Sequence, residues 1–154
     1  MVKTAGIPIL ITLNATVSAD GEVADEMHLF TSGEMIPQRD GALIRYEEQL
    51  DETAEPTKVQ LSMQEDAVTM LRTGEIETNM VFRKGRRYEG QYTTPFGSME
   101  LAVFCTRALY RLDELGGFLR LQYQLDLNGH YVSMHDMEMR FVVREDEARH
   151  APSA

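Results

Sequence analysis

From Leu119 to Leu127 the chain alternates without a break. Leu119, Leu121, Tyr123, Leu125 and Leu127 fall on one face, and Arg120, Gln122, Gln124 and Asp126 fall on the other. A period of two sends successive side chains to opposite sides of an extended backbone, so this segment is a half-buried β-strand. Asn128-Gly129 follows directly. Both residues tolerate the positive φ that a two-residue primed turn demands, so the chain doubles back there. Tyr131, Ser133, His135, Met137, Met139, Phe141 and Val143 then share the inward face of the returning strand. A lone hairpin is not stable in water, so these two strands need others beside them.

The rest of the chain supplies them. Residues 10–18 put Ile11, Leu13, Ala15 and Val17 on one face, and Ala19-Asp20-Gly21 turns the chain. Residues 23–36 form a long strand whose Gly33 predicts a bulge or bend. Pro37-Gln38-Arg39-Asp40-Gly41 reads as a turn, 42–50 as a strand, and 51–57 as a polar loop containing Pro56. Strands follow at 59–64, 68–73, 76–83, 88–94, 99–105 and 108–112. Glu65-Asp66, Gly74, Lys84-Gly85-Arg86 and Leu115-Gly116-Gly117 separate several of them. About ten short strands joined by tight turns, with no segment of helical period, make an all-β fold. Closing such a meander into a single antiparallel up-and-down β-barrel removes its edges. A sandwich would need longer crossovers, and only 51–57 could serve as one.

At 154 residues the chain fits one domain. The reading is an N-terminal arm at 1–8, a barrel at 9–144 and a C-terminal tail at 145–154. The net charge is −10, and an acidic surface repels phosphate, so nucleic acid and anionic membranes are not expected partners. The apolar run from Ile9 is broken by Thr12, Asn14 and Thr16, which fits a first strand better than a signal or spanning segment. The single Cys105 has no disulfide partner, so the expected compartment is the cytoplasm.

Catalytic motifs are weak. His28, His130 and His135 lack the spacing of a metal site, and no metal or cofactor is expected. Cys105 shares the apolar face of Met99, Leu101 and Val103, where a thiol is a small hydrophobe rather than a nucleophile. No serine sits in a nucleophile elbow. Four cations surround Gly85 at 83–87, which reads as a solvated hairpin tip that could also hold an anion. Met63, Met70, Met80, Met99, Met137 and Met139 fall on inward faces, where methionine fills irregular space or adapts to a ligand.

The stronger signal is a set of polar and aromatic residues that share parity with apolar ones. These are Tyr46, Glu48, Arg72, Tyr92, Tyr123 and His135. A charge is buried only with a partner, so Arg72 inside requires a carboxylate, and Glu48 is the natural one. Apolar walls with a few convergent polar groups make a ligand site; the same residues could instead form a structural network that fixes strand register.

Several short stretches also share order and spacing with a known family. They are Thr31-Ser32-Gly33, Tyr46-Glu47-Glu48, Met70-Leu71-Arg72-Thr73-Gly74, Thr94-Pro95-Phe96-Gly97 and His135-Asp136-Met137. From about Ile9 to Val143 the chain resembles the YwiB-like bacterial proteins, which implies a calycin-like (lipocalin-like) barrel; the resemblance implies fold rather than chemistry and carries over no activity, cofactor or catalytic residue. The leading expectation is thus a cytoplasmic barrel that binds a small apolar or amphipathic molecule. The alternative is a filled structural or protein-interaction module, for instance a homodimer joined through 98–106 and 119–128. An enzyme of unknown reaction ranks third.

Overall fold

The computed structural model describes residues 6–49 and 55–144. Most of the expected arm, most of the loop at 51–57 and the tail at 145–154 lie outside them. The strands are β1 (Ile7–Ala19), β2 (Glu22–Gln38), β3 (Gly41–Glu48), β4 (Thr57–Gln64) and β5 (Ala67–Thr73), then β6 (Glu77–Phe82), β7 (Arg87–Thr94), β8 (Gly97–Asp113), β9 (Gly116–Leu127) and β10 (His130–Val143). Each pairs antiparallel with its neighbour in sequence, and β10 closes on β1. The described residues therefore form a closed, all-β, up-and-down barrel.

Asn128 and Gly129 take φ of 51° and 78°, and Asp20 and Gly21 take 52° and 79°. Both pairs make the primed turns whose twist matches that of the flanking strands. Other boundaries move from the sequence expectation. The turn after β2 is only Arg39-Asp40, and Pro37 stays in the strand. Glu114-Leu115 turns β8 into β9, so Gly116 and Gly117 open a strand rather than form the turn.

Three corrections have a common cause, the placement of bulges. Gly33 does not interrupt the register of β2 on either side; the shift in that hairpin falls at Val17/Ser18. Glycine is required at 33 for close approach, since a Cβ there would collide with the Arg45 carbonyl oxygen. The segments 99–105 and 108–112 are one strand, joined through a register shift between Cys105 and Arg107. One extra residue reverses the parity beyond it. Leu101, Val103 and Cys105 point inward before the shift, and Ala108, Tyr110 and Leu112 turn toward the core after it. A third shift, between Tyr131 and Ser133, sends Tyr131 outward, to 44% exposure, while Ser133 is buried.

The interior divides along the barrel axis. At the end holding the β4–β5 and β8–β9 turns it is solid. Ile9, Ile11, Ile44, Leu61, Met63, Phe82, Leu119, Leu121, Met139 and Phe141 are buried there, mostly to the last atom. Met63, Met70 and Met139 are ordinary filling of that core. Toward the β9–β10 and β1–β2 turns the inward positions mix polar residues, among them Glu48, Arg72 and His135, with partly buried apolar ones such as Met27, Leu29 and Leu125, and the space is no longer filled.

The long strands β2 and β8 carry the chain from one wall to the other. β2 pairs with β1 from Glu22 to Met35 but with β3 only from Gly33 to Gln38. β8 pairs with β9 from Leu101 to Asp113 but with β7 only from Gly97 to Phe104. The segments 98–106 and 119–128 expected to join a second subunit are occupied on both edges over most of their length, so edge pairing to a partner has no room there.

Candidate functional site

Cross-strand register builds the site from one continuous row. Gly33 faces Tyr46, which faces Val59, then Arg72, Thr78 and Tyr92 on successive strands. With only hydrogen at Gly33, the Tyr46 Cβ fits beside it: an added Cβ would stand 3.2 Å away. Tyr46 points inward and its hydroxyl donates to Glu48 Oε1 at 3.1 Å. Arg72 Nη2 donates to the same oxygen at 3.4 Å. The sequence thus paired Arg72 with Glu48 correctly, and Tyr46 supplies the third member.

This pair is long for a charge-assisted bond and is not sealed from water. The Glu48 side chain is 10% exposed and that of Arg72 is 31% exposed. Burial, then the Glu48 carboxylate, pushes the Tyr46 phenol far above its ordinary range, so it remains a donor. Two polar atoms on this row, Arg72 Nε and Thr78 Oγ1, are buried without a hydrogen-bond partner among the described residues. Such orphans cost about 1–3 kcal/mol each.

A second row comes from the opposite wall, where Cys105 faces Tyr123 and Tyr123 faces His135. The Tyr123 ring stacks on the His135 imidazole, with centroids 4.7 Å apart and planes 2° from parallel. On Phe82 the Tyr123 ring makes a further aromatic contact, with centroids 4.7 Å apart and planes tilted by 50°. Burial pushes the Tyr123 phenol up to about 12. Burial, and then the Arg72 charge, push the His135 imidazole down to about 4, so it is neutral at pH 7.

Between the two rows lies a cavity of about 230 Å³. Glu48, Arg72, Thr78, Tyr92, Tyr123 and His135 contribute its polar and aromatic wall, with Thr57 beside them. Ile76, Met80, Leu101 and Leu125 contribute the apolar wall. Five of the six residues singled out in the sequence line this space, and Tyr46 stands behind Glu48. Sequence reasoning missed Thr78, although its parity with Met80 and Phe82 on a short strand was available to find it.

The arrangement is poor in catalytic chemistry. His135 Nε2 is 2.8 Å from Ser133 Oγ, the spacing of a base and a nucleophile. Ser133 is not on the cavity wall, however, and the nearby Arg72 charge disfavours the imidazolium that a general base must become. Burial pushes the Cys105 thiol up, its S–H donates to the Arg107 carbonyl at 3.3 Å, and Tyr123 stands between it and His135. His28 bonds Asn14 at 2.6 Å on the outer surface. Among the described residues no group of three His, Cys, Asp or Glu converges as a metal site would. No helix among them is long and apolar enough to cross a membrane.

Fold and site together define a class: a closed, ten-stranded antiparallel barrel, solid at one end and hollow with a polar lining toward the other. The chain belongs to the family described as Domain of unknown function (DUF1934), whose model matches residues 11–139. Its fold is similar to that in the crystal structure of ywiB protein from Bacillus subtilis, with a TM-score of 0.78 and 21% sequence identity over 89% of this chain and 92% of that one. No curated protein matches it. The YwiB-like resemblance read from the sequence is thereby confirmed at the level of family and fold.

Proposed function

We propose that this barrel binds one small, uncharged, largely apolar molecule that carries a hydrogen-bond acceptor. The observation that carries the reading is the cavity of about 230 Å³ whose lining residues Arg72 and Thr78 each hold a buried polar atom without a partner among the described residues. Protein interiors pack to crystal density, and a cavity of roughly 150 Å³ already accepts benzene. A hydrogen-bond acceptor is the group that both unpartnered donors call for. The charges of Arg72 and Glu48 offset each other and His135 is neutral, so nothing in the lining compensates a charged guest. The flat face of the Tyr123–His135 stack favours a planar one.

The reading is binding rather than turnover, because burial holds the thiol protonated and His135 bonds Ser133 rather than a carboxylate among the described residues. A calycin-like barrel is the architecture that this use of an interior suggests, by analogy of fold. A single buried thiol supports a reducing compartment, the cytoplasm. Native mass spectrometry of the protein purified from its source tests the proposal. The expected result is an extra small-molecule mass, lost on denaturation and lost in a folded Leu125→Trp variant that fills the cavity. A bare protein mass from source, with no small molecule in the denatured extract, overturns it and favours a filled structural module.

A further inference from the structure

The basic hairpin tip is not used by the cavity, and it lies beside a second feature, an open strand edge. β8 keeps its β7 neighbour only to Phe104. The last bonds on that side run from Cys105 N–H to the Arg86 carbonyl and from Gly85 N–H to the Cys105 carbonyl, where the β6–β7 hairpin ends. Beyond them, residues 107–113 are paired to β9 alone among the described residues. An unpaired strand edge offers a row of N–H and C=O groups to any extended chain.

The side chains along this edge state what that chain must be. Leu109 is 49% exposed between Arg107 and Arg111, both exposed on the outer face. Neither arginine is within ion-pair distance of a carboxylate among the described residues. Lys84 and Arg86 of the hairpin tip likewise lack a carboxylate partner; with Arg87 and the Arg83–Asp66 ion pair they line an open cleft of about 520 Å³ that reaches Ala108. On the inward side Ala108, Tyr110 and Leu112 are only partly buried. This local positive charge stands out on a chain of net charge −10.

We propose that the β8 edge at 107–113 is a docking site for an acidic, extended peptide segment that adds to the sheet as a strand. Main-chain bonds to the edge give the affinity, and alternate side chains give the selectivity. On the outer face the guest presents acidic, apolar, acidic residues against Arg107, Leu109 and Arg111. On the inner face its small apolar residues cover Ala108 and Tyr110. Lys84 and Arg86 receive acidic residues at the end that approaches the tip.

Fluorescence anisotropy with a labelled peptide of alternating glutamate and valine tests this directly. The expected result is binding that weakens at least tenfold between 50 and 300 mM salt. It should weaken at least tenfold in an Arg107→Glu/Arg111→Glu variant whose melting temperature matches the parent, and vanish for the lysine–valine counterpart. In deuterium exchange the bound peptide should slow amides in 107–113 and not those of the cavity-lining strands. Equal affinity for a single-stranded oligonucleotide or a polyglutamate without alternation would show a general polyanion patch and overturn strand addition. Binding unchanged by the double charge reversal overturns the site itself.

Discussion

The two ends of the barrel interior are built from the same strands with the same alternation, yet they differ in kind. At the solid end Ile44, Leu61, Met139 and Phe141 close the space completely. At the hollow end the same strands present Glu48, Arg72, Tyr123 and His135, and about 230 Å³ stays open. Strands β3 and β9 each cross both regimes: Ile44 and Glu48 are four residues apart, as are Leu119 and Tyr123. Alternation decides which side chains enter the barrel, and chemical identity decides whether they fill it. The solid end carries the stability that the hollow end, with its orphaned polar atoms and long ion pair, does without.

Truncation should show the contrast most strongly. Phe141→Ala removes a ring with no room to relax around it and is expected to cost about 3–5 kcal/mol. Leu125→Ala, on a wall that already borders empty space, should cost only about 1–2 kcal/mol. Paired urea melts measure both; equal losses would erase the distinction between the ends.

The ion pair comes next. A fully buried pair costs about 3–5 kcal/mol when halved, but the exposure of Arg72 lowers the expectation for Arg72→Met to about 2 kcal/mol. Glu48→Gln combined with Arg72→Met should cost less than the two single changes added together, because no charge is then stranded. Additive losses in the double-mutant cycle would mean that the two side chains act independently.

His135 sets a pH dependence peculiar to the hollow end. Its imidazole is held near 4 in the fold against an ordinary 6.5, so between those values the unfolded chain binds the proton more readily. Stability is complete above pH 6.5 and falls as pH drops toward 4, by on the order of 2 kcal/mol once partial exposure is discounted. His135→Phe should flatten this slope in melting curves recorded from pH 7.5 to 4, while Phe141→Leu should leave it in place.

Smaller effects belong to the turn and to the orphaned hydroxyl. Gly129 has φ of 78° with nothing within 4 Å of an added Cβ, so Gly129→Val meets backbone strain alone and should cost about 1 kcal/mol. An unchanged melting temperature would exclude the primed turn. Thr78→Val removes a buried hydroxyl with no partner among the described residues and should be neutral or stabilising by up to about 1 kcal/mol, while weakening any guest that bonds there. A loss of more than that would reveal a bond that the hydroxyl makes in solution.

Much of this fold was legible because a β-strand writes its two faces into sequence at a fixed period. The strands at 119–127 and 131–143, the Asn128-Gly129 turn and the up-and-down order follow from alternation and turn chemistry. So does the meeting of Arg72 with Glu48, since a buried charge demands a partner and parity offered few. What could not be read was wherever one residue changes the count. The bulge at Thr106 fuses two expected strands and exchanges their inward faces, and that near Val132 expels Tyr131. A bulge is selected by the curvature of the closed sheet, which no local pattern records. The register that aligns Tyr46, Val59, Arg72, Thr78 and Tyr92 into one row is likewise a property of closure. The sequence by itself determined which side chains enter the barrel along each uninterrupted stretch of strand and which charges must pair. Only the tertiary structure decided where along the axis those side chains fail to fill the space, because a cavity is the difference between the volume that closure encloses and the volume that side chains supply.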